Sequence, residues 1–236
     1  MIREVIVSTT DRAGQPHLAP MGVHEAGEGL LAILPFRPST TLDNLLETGC
    51  AVVNRTDDVR VFAGCLTGRR DWPLAPATRV ACLRLAQCLA HTEVALDSVE
   101  EDHIRPRLLC RPLHSEQHAP FQGFNRAQFA VLEAAILVSR LDILPWGKIE
   151  TELDYLRIIH GKTAGEREQE AWDWLMETVA AHKRKTMTSE EREARIREIM
   201  EVTHADRVTA EFIVAQELGE IEGDCIGIEH GHSKGG

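Results

Sequence analysis

Near residue 120 the hydrophobic pattern of this chain changes period, and that change limits the folds open to it. Before it, β-branched runs alternate with turn residues; after it, apolar residues recur at the spacing of a helix. "REVIVSTT" and "PHLAPMGVH" flank "DRAGQ", where Gly14 suits a positive φ, and together they read as a hairpin. "LLAILPF" is a short apolar run stopped by Pro35 and Pro38, as fits a strand buried on both faces. Leu42, Leu45 and Leu46 then recur at helical spacing, with Thr40 and Asp43 placed as a capping box and Gly49 where a helix would end. Strand signals return in "CAVVN" and "VRVFAGCL". The stretch "RVACLRLAQCLAHTEVALDSV" suits a long strand or a helix. Its valines, its threonine and the charged loop "SVEEDH" tilt the reading to strands that continue through "RPRLLCRPL".

From "GFNRAQFAVLEAAILVSRL" onward the pattern is helical, with Asn125 as a cap and Ala130, Ala134, Leu137 and Leu141 at near-helical spacing. A second helix fits "GKIETELDYLRIIHG". A third fits "AGEREQEAWDWLMETVAAHKRK", with acids in its first turns and bases in its last, as the helix dipole favours. "SEEREARIREIM" reads as a fourth, capped by Ser189. The expected class is α+β: a β-rich domain over residues 1–122, a helical part over 123–205 packed on it, and a C-terminal extension over 206–236 whose polar, glycine-rich end is expected to be disordered.

With 43% hydrophobic and 27% charged residues, and no apolar run near the roughly 18 needed to cross a bilayer, the chain reads as soluble, with no membrane partner. A formal charge of -11 opposes attraction to phosphate backbones, and no basic stripe interleaved with aromatics offsets it, so nucleic acid is not an expected partner. The six cysteines form no CxxC pair, and "MIREVIVSTT" lacks the layout of a secretory signal. Reduced thiols and a cytoplasmic location are expected, with most cysteines acting as small hydrophobes.

"RPSTT" is the stretch richest in chemistry. A helix N-terminus presents unpaired N–H groups and partial positive charge, and here Ser39, Thr40 and Thr41 add hydroxyl donors while Arg37 adds a planar fork that suits two phosphate oxygens. Two readings stand: a phosphate cradle, or a capped helix beside a solvated arginine. "GFNRA" has the same two sides. Asn125 can be a plain cap, or Arg126 and the helix N-terminus can contact an anion. His17 and His24 lie on the first hairpin, where either can be a proton donor or an exposed strand histidine. Cys225, His230 and His232 superficially suggest a metal site, but three soft ligands do not make a closed set, and no metal is expected. No nucleophile triad can be read and no catalytic residue can be named.

"RPSTTLDNLLETGCAVVN", with the hairpin "GQPHLAPMGV" before it, resembles flavin-reductase-like proteins in which a basic residue, a hydroxyl and a "TLxN" helix precede a strand. "FQGFNRAQFAVLEAAILVSRL" and "IIHGKTAGEREQEAW" resemble a family catalogued as domain of unknown function 447, found in archaea and in bacteria with methanopterin-linked one-carbon metabolism. The likeness spans about residues 1 to 183 and implies an FMN-binding split β-barrel followed by a helical C-terminal part. It implies FMN as cofactor, its phosphate held by Arg37, Ser39, Thr40 and Thr41. Ala19, Pro20, Met21 and Gly22 would run along the ring edge. Pro20 has no N–H to give, so its carbonyl and the N–H groups of Met21 and Gly22 remain for the ring's polar rim. Asn54 either reaches the ring or ribityl chain or simply ends its strand. Flavin reductases of this pattern carry lysine and aspartate where this chain has Pro38 to Thr40, which weakens any transfer of their nicotinamide-dependent activity. The resemblance further implies a homodimer and either flavin-dependent redox chemistry on a small-molecule substrate or non-catalytic carriage or sensing of a flavin or pterin-like ligand.

Overall fold

The structure, a computed structural model, describes residues 1–221. Cys225, His230, His232 and the expected disordered end lie outside the described residues. β1 (Ile2–Thr10) and β2 (Pro16–Glu25) form the expected hairpin, with Gly14 at φ 84° and its N–H donated to the Asp11 carbonyl at 3.0 Å. β3 (Leu31–Ile33), α1 (Thr40–Thr48), β4 (Cys50–Arg55) and α2 (Val59–Leu66) follow. β5 (Leu74–Pro76) and β6 (Leu83–Leu85) make a small ribbon, and β7 (Ala90–Glu100) and β8 (Arg107–Gln117) a long antiparallel pair.

Six strands close into an antiparallel barrel in the order β1-β2-β3-β8-β7-β4. Pairing of β1 with β4, at Ile6↔Asn54, Val7↔Val53 and Ser8↔Val52, seals it. Alternate side chains of β1 enter two cores. Val5 and Val7 join Val23, Ile33, Val53 and Leu108 inside the barrel, while Ile6 packs outside with Phe62, Leu85 and Cys88. A strand buried on both faces must be apolar at consecutive positions, which is why "VIV" reads as it does.

"VRVFAGCL" is the helix α2, not the expected strand. Asp58 caps it, its carboxylate accepting the Arg60 N–H at 3.1 Å, and Gly64 admits Trp72 so closely that a Cβ there would lie 2.5 Å from the indole. Capping and packing together override the β preference of the valines. The cap of α1 is Ser39 and not Thr40: the Ser39 hydroxyl accepts the Leu42 N–H at 3.3 Å, and Gly49 ends the helix at φ 70° as expected.

After the barrel come α3 (Arg126–Val138), α4 (Trp146–Thr163) and α5 (Glu166–Thr186). α3 packs against α4 and against α2. Ile149, Leu153, Leu156 and His160 form the buried stripe of α4, and the His160 ring stacks on Trp172 of α5 with centroids 4.7 Å apart. The described residues divide into two compact units, 1–175 and 176–221, with the boundary inside α5. In the second unit α6 (Ser189–Thr203) is capped by Thr188, not Ser189, in a capping box with Glu191. α7 (Arg207–Glu217), a helix left unassigned by the sequence reading, packs on α6 through Ile196, Ile199, Ala210, Val214 and Leu218.

Candidate functional site

The turn from β3 into α1 carries the candidate anion-binding residues. Arg37 is tied by its backbone N–H to the Ile104 carbonyl at 2.8 Å, and its guanidinium lies 3.0 Å from the Glu101 carboxylate in an exposed pair. Such a pair contributes little in water, so Arg37 is weakly held by Glu101. Pro38 follows through a cis peptide bond, then Ser39 in extended conformation as the cap. Thr40 is exposed and Thr41 is buried in the first turn. Orphan N–H groups, hydroxyls and one displaceable guanidinium thus occupy a single turn.

β2 supplies the neighbouring wall. Ala19, Pro20, Met21 and Gly22 pair on one side with Val7, Ile6, Val5 and Glu4 of β1. On the other side β3 pairs only with Val23 to Glu25, so this stretch has no strand partner there among the described residues. An open strand edge offers backbone donors and acceptors to a ligand. A groove of about 190 Å³ runs between Pro20–Gly22 and Leu34–Phe36, with α2 and α3 on its remaining sides, and Leu34–Phe36 leads directly into Arg37. A Cβ on Gly22 would come within 3.0 Å of Ile2 and 3.4 Å of the Glu4 carboxylate, so the wall is already filled to its backbone.

Arg105 escaped the sequence reading, which took its surroundings as strand. Its Nε donates to the Leu34 carbonyl at 2.9 Å and its guanidinium lies 4.9 Å from the centre of the Phe36 ring, fixing the second wall. Asp102 holds the Arg105 turn by accepting the Ile104 and Arg105 N–H groups at 2.8 and 2.6 Å. Those two N–H donors hold the Asp102 carboxyl below its ordinary range.

A second cavity, of about 710 Å³, adjoins the groove and shares Glu4, Phe62 and Leu132 with it. Arg55, Asn125, Gln128, Phe121, Phe124 and Phe129 are among its lining. Phe124 is 99% exposed and stands edge-on to Phe121 with centroids 5.1 Å apart. Arg55 is half-buried and donates to the Thr92 hydroxyl at 2.9 Å. Desolvation first, and then the nearby Arg3, make its guanidinium less basic than usual.

Of the residues singled out in the sequence, Pro20, Met21 and Gly22 line the groove, whereas Arg37, Ser39, Thr40 and Thr41 do not line it and follow its Leu34–Phe36 wall along the chain. Ala19 is one step along β2. Asn54 is fully buried away from both cavities, donating to the Ile6 carbonyl at 3.0 Å and the Ser8 hydroxyl at 3.1 Å and accepting the Leu85 N–H at 2.9 Å. Asn125 lines the larger cavity and caps α3 by accepting the Ala127 N–H at 2.7 Å, while its amide also donates to the Thr163 carbonyl at 3.2 Å. Arg126 is exposed and lines neither space. His17 is partly buried against Arg70 and Trp72, its pKa lowered by burial and by Arg70.

A closed antiparallel barrel with a helix-capped turn beside an open strand edge defines the split-barrel class of fold. More particularly, the chain belongs to the DUF447 family: the model "Protein of unknown function (DUF447) N-terminal domain" matches residues 3–119, and "Protein of unknown function (DUF447)" matches residues 125–177. Among solved structures the chain is similar to the FMN-bound protein MM1853 from Methanosarcina mazei, of the same family, at 21% identity and a TM-score of 0.66 over 75% of this chain and 94% of that one. The 2-nitrobenzoate 2-nitroreductase NbaA of Pseudomonas fluorescens aligns at 20% identity and a TM-score of 0.44, over 49% of this chain and 64% of that one. A flavin reductase-like protein with a split barrel domain from Shewanella frigidimarina aligns at 13% identity and 0.44, over 53% and 74%. No curated protein matches the chain.

Proposed function

We propose that this chain is an FMN-binding protein whose flavin carries out redox chemistry on a small molecule. One observation carries the reading: an apolar groove lies between the open edge of β2 and Leu34–Phe36, and the chain passes directly from Phe36 into the exposed Arg37 and the hydroxyl-bearing first turn of α1. Its residues suit the cofactor part by part. Arg37, Ser39, Thr40, Thr41 and the α1 N-terminus would hold the phosphate. Ala19, Met21 and Gly22 would offer backbone groups to the ring's polar rim, and Pro20 its carbonyl. Leu34, Pro35 and Phe36, braced by Arg105, would exclude water from the ring. The bound flavin would supply hydride or single-electron transfer.

The cavity of about 710 Å³ next to this groove offers room for the second reactant. Its phenylalanine rim and its half-buried Arg55 suit a flat, anionic molecule, in keeping with the pterin-linked chemistry that the family resemblance implies. Exposed Ile2, Phe121, Phe124 and Phe129 lie around that cavity and support a homodimer. No helix among the described residues is long and apolar enough to cross a membrane, and a cytoplasmic site of action is part of the proposal.

A second reading, a flavin carrier without catalysis, is favoured by one observation: among the described residues no histidine, cysteine or tyrosine lines the groove to deliver a proton. The test is to purify the full chain without added cofactor, record its visible spectrum and identify what denaturation releases. Released FMN supports the reading, and a colourless protein that ignores added FMN sinks it. Arg37→Ala is expected to weaken FMN binding by about 1.5 to 3 kcal/mol, the range for hydrogen bonds to charged groups. Bleaching by a nicotinamide donor separates the enzyme from the carrier.

A further inference from the structure

We propose that Cys88, His91 and His118 form a binding site for a divalent transition metal of the zinc type, separate from the flavin groove. Cys88 lies two residues before the start of β7, His91 is the second residue of β7, and His118 directly follows β8. The β7–β8 ladder pairs Ala90 with Gln117 and His91 with Glu116, and so folds a C-x₂-H spacing onto a histidine far along the chain. One ligand atom from each of the three lies within 4.8 Å of the others. Cys88 is 3% and His91 1% exposed.

The surroundings of His91 are those of a metal ligand. Its Nε2 lies 3.3 Å from the Glu93 carboxylate. Glu93 is itself pinned by the N–H groups of Thr78, Arg79 and Val80 at 2.7, 2.5 and 3.0 Å. A carboxylate that accepts a hydrogen bond from Nε2–H keeps the proton on Nε2, leaves Nδ1 with a free lone pair and sets the ring's orientation, which is the usual second layer around a metal-bound histidine. Nδ1 points at His118, whose Nε2 is 2.8 Å away, with the two rings parallel to within 5°. One proton therefore sits between two nitrogens where a metal would sit; on loading, His118 takes its other tautomer, with the proton on Nδ1, and the Cys88 thiol proton is released to solvent.

Geometry and ligand chemistry decide the class. Metal–nitrogen bonds of about 2.0–2.1 Å at a tetrahedral centre set the two nitrogens about 3.3 Å apart. His118 has to yield by roughly half an ångström from its present hydrogen bond, and it lies on the partly exposed segment after β8. A thiolate with two imidazoles selects zinc-like ions over magnesium or calcium and leaves a fourth position for water or a ligand. The alternative trio of His91, Glu93 and His114 shares His91 but would take Glu93 from the three backbone donors it already serves. Cys88, His91 and His118 leave that clamp intact.

The test uses the full chain, stripped with a chelator and titrated with Zn²⁺ against a competing dye, then with Co²⁺ for its spectrum. One Zn²⁺ per chain and a thiolate-to-Co²⁺ charge-transfer band are expected. His118→Ala should weaken Zn²⁺ binding at least tenfold and Cys88→Ser should abolish the band, each with the far-ultraviolet dichroism of the folded parent. The paired substitution His230→Ala and His232→Ala should leave both signals unchanged. Absence of stoichiometric binding to the folded parent overturns the proposal, as does binding lost with the tail histidines and kept in His118→Ala.

Discussion

The barrel and the unit after residue 175 bury different things. In and against the barrel wall the buried Asn44 of α1 donates to the Thr9 hydroxyl at 3.1 Å, the buried Thr92 meets the exposed Ser115 at 2.9 Å, and the buried Asn54, His91 and Glu93 form the bonds described above. In residues 176–221 the buried side chains are aliphatic or alanine. Polar contact there is between exposed or half-exposed ions: Arg192 with Glu220 at 2.7 Å, Arg195 with Glu217 at 2.8 Å, and Arg207 with Glu193 and Glu211 at 2.6 and 2.7 Å. A dry hydrogen bond is worth most through the penalty for leaving its partner alone, whereas a wet ion pair can be resolvated. The barrel is therefore specified by geometry that tolerates little change, as a site-bearing scaffold requires, and the second unit by forces that salt can weaken.

Glu93→Ala should break the comparison hardest. It strips three backbone N–H groups and His91 of their acceptor in a fully buried place, and a loss of about 3 to 5 kcal/mol in chemical denaturation is expected. Burial raises the Glu93 pKa, but the three donors and His91 outweigh it and hold the carboxyl below its ordinary range. A carboxyl depressed on folding stabilises above its unfolded pKa, and that stability drains as pH falls through the lower folded value. The parent should thus lose stability steeply below about pH 4 and the variant much less so. Equal acid slopes in the two proteins would remove Glu93 from this role.

Asn54→Leu comes next. Leucine keeps the volume but orphans the Leu85 N–H and the Ile6 carbonyl, for an expected loss of about 2 kcal/mol. If Asn54 serves the wall alone, FMN affinity measured on the folded fraction should stay at the parental value. A drop there would return Asn54 to the flavin.

Cysteines give the third contrast. Cys50 and Cys82 stand with sulfurs 3.4 Å apart, and the hydrogen bond from Cys82 pulls the Cys50 thiol down to about 6 against the opposing effect of burial. Cys65, Cys88 and Cys110 are pushed up by burial and Cys82 by Cys50 itself. At pH 7 Cys50 should alkylate about tenfold faster than the other described cysteines, its rate falling as pH drops through about 6. Peptide mapping after a brief pulse of iodoacetamide reads this, and uniform labelling would contradict it.

Legibility followed the range of the forces. The first hairpin, α1 with its glycine stop, the β7–β8 pair and the helices from α3 to α6 were readable because pattern and punctuation are local. α2 was misread because its valines signal strand, while the contact that decides it, Gly64 against Trp72, cannot be seen as a pattern. At the site, "RPSTT" showed a cap and an anion cradle equally well, and its link to "APMG" came only through family resemblance. Arg105 left no mark, since it acts on a carbonyl 71 residues earlier. Cys88, His91 and His118 were invisible for the same reason: only the β7–β8 register unites them.

The smallest effect expected is in the second unit. Arg195 grips Glu217 with two nitrogens, at 2.8 and 3.1 Å, and also reaches Glu198 at 2.8 Å, so α6 holds the end of α7 by charge. With Arg195 about one-third exposed, water screens this contact, and Arg195→Ala should release about 0.5 to 1 kcal/mol. Hydrogen exchange is the right readout because it isolates α7 from the barrel. Amides of α7 should exchange two- to fivefold faster in the variant at low salt. In 1 M salt, where charge interactions reach only about 3 Å, the parent should approach the variant. Barrel amides should keep their protection in both proteins and at both salt concentrations, because the bonds around Asn54 and Glu93 are out of reach of the ions. If salt loosened the barrel as much as α7, the distinction between dry and wet polar contacts would fail as the account of how the two units are held.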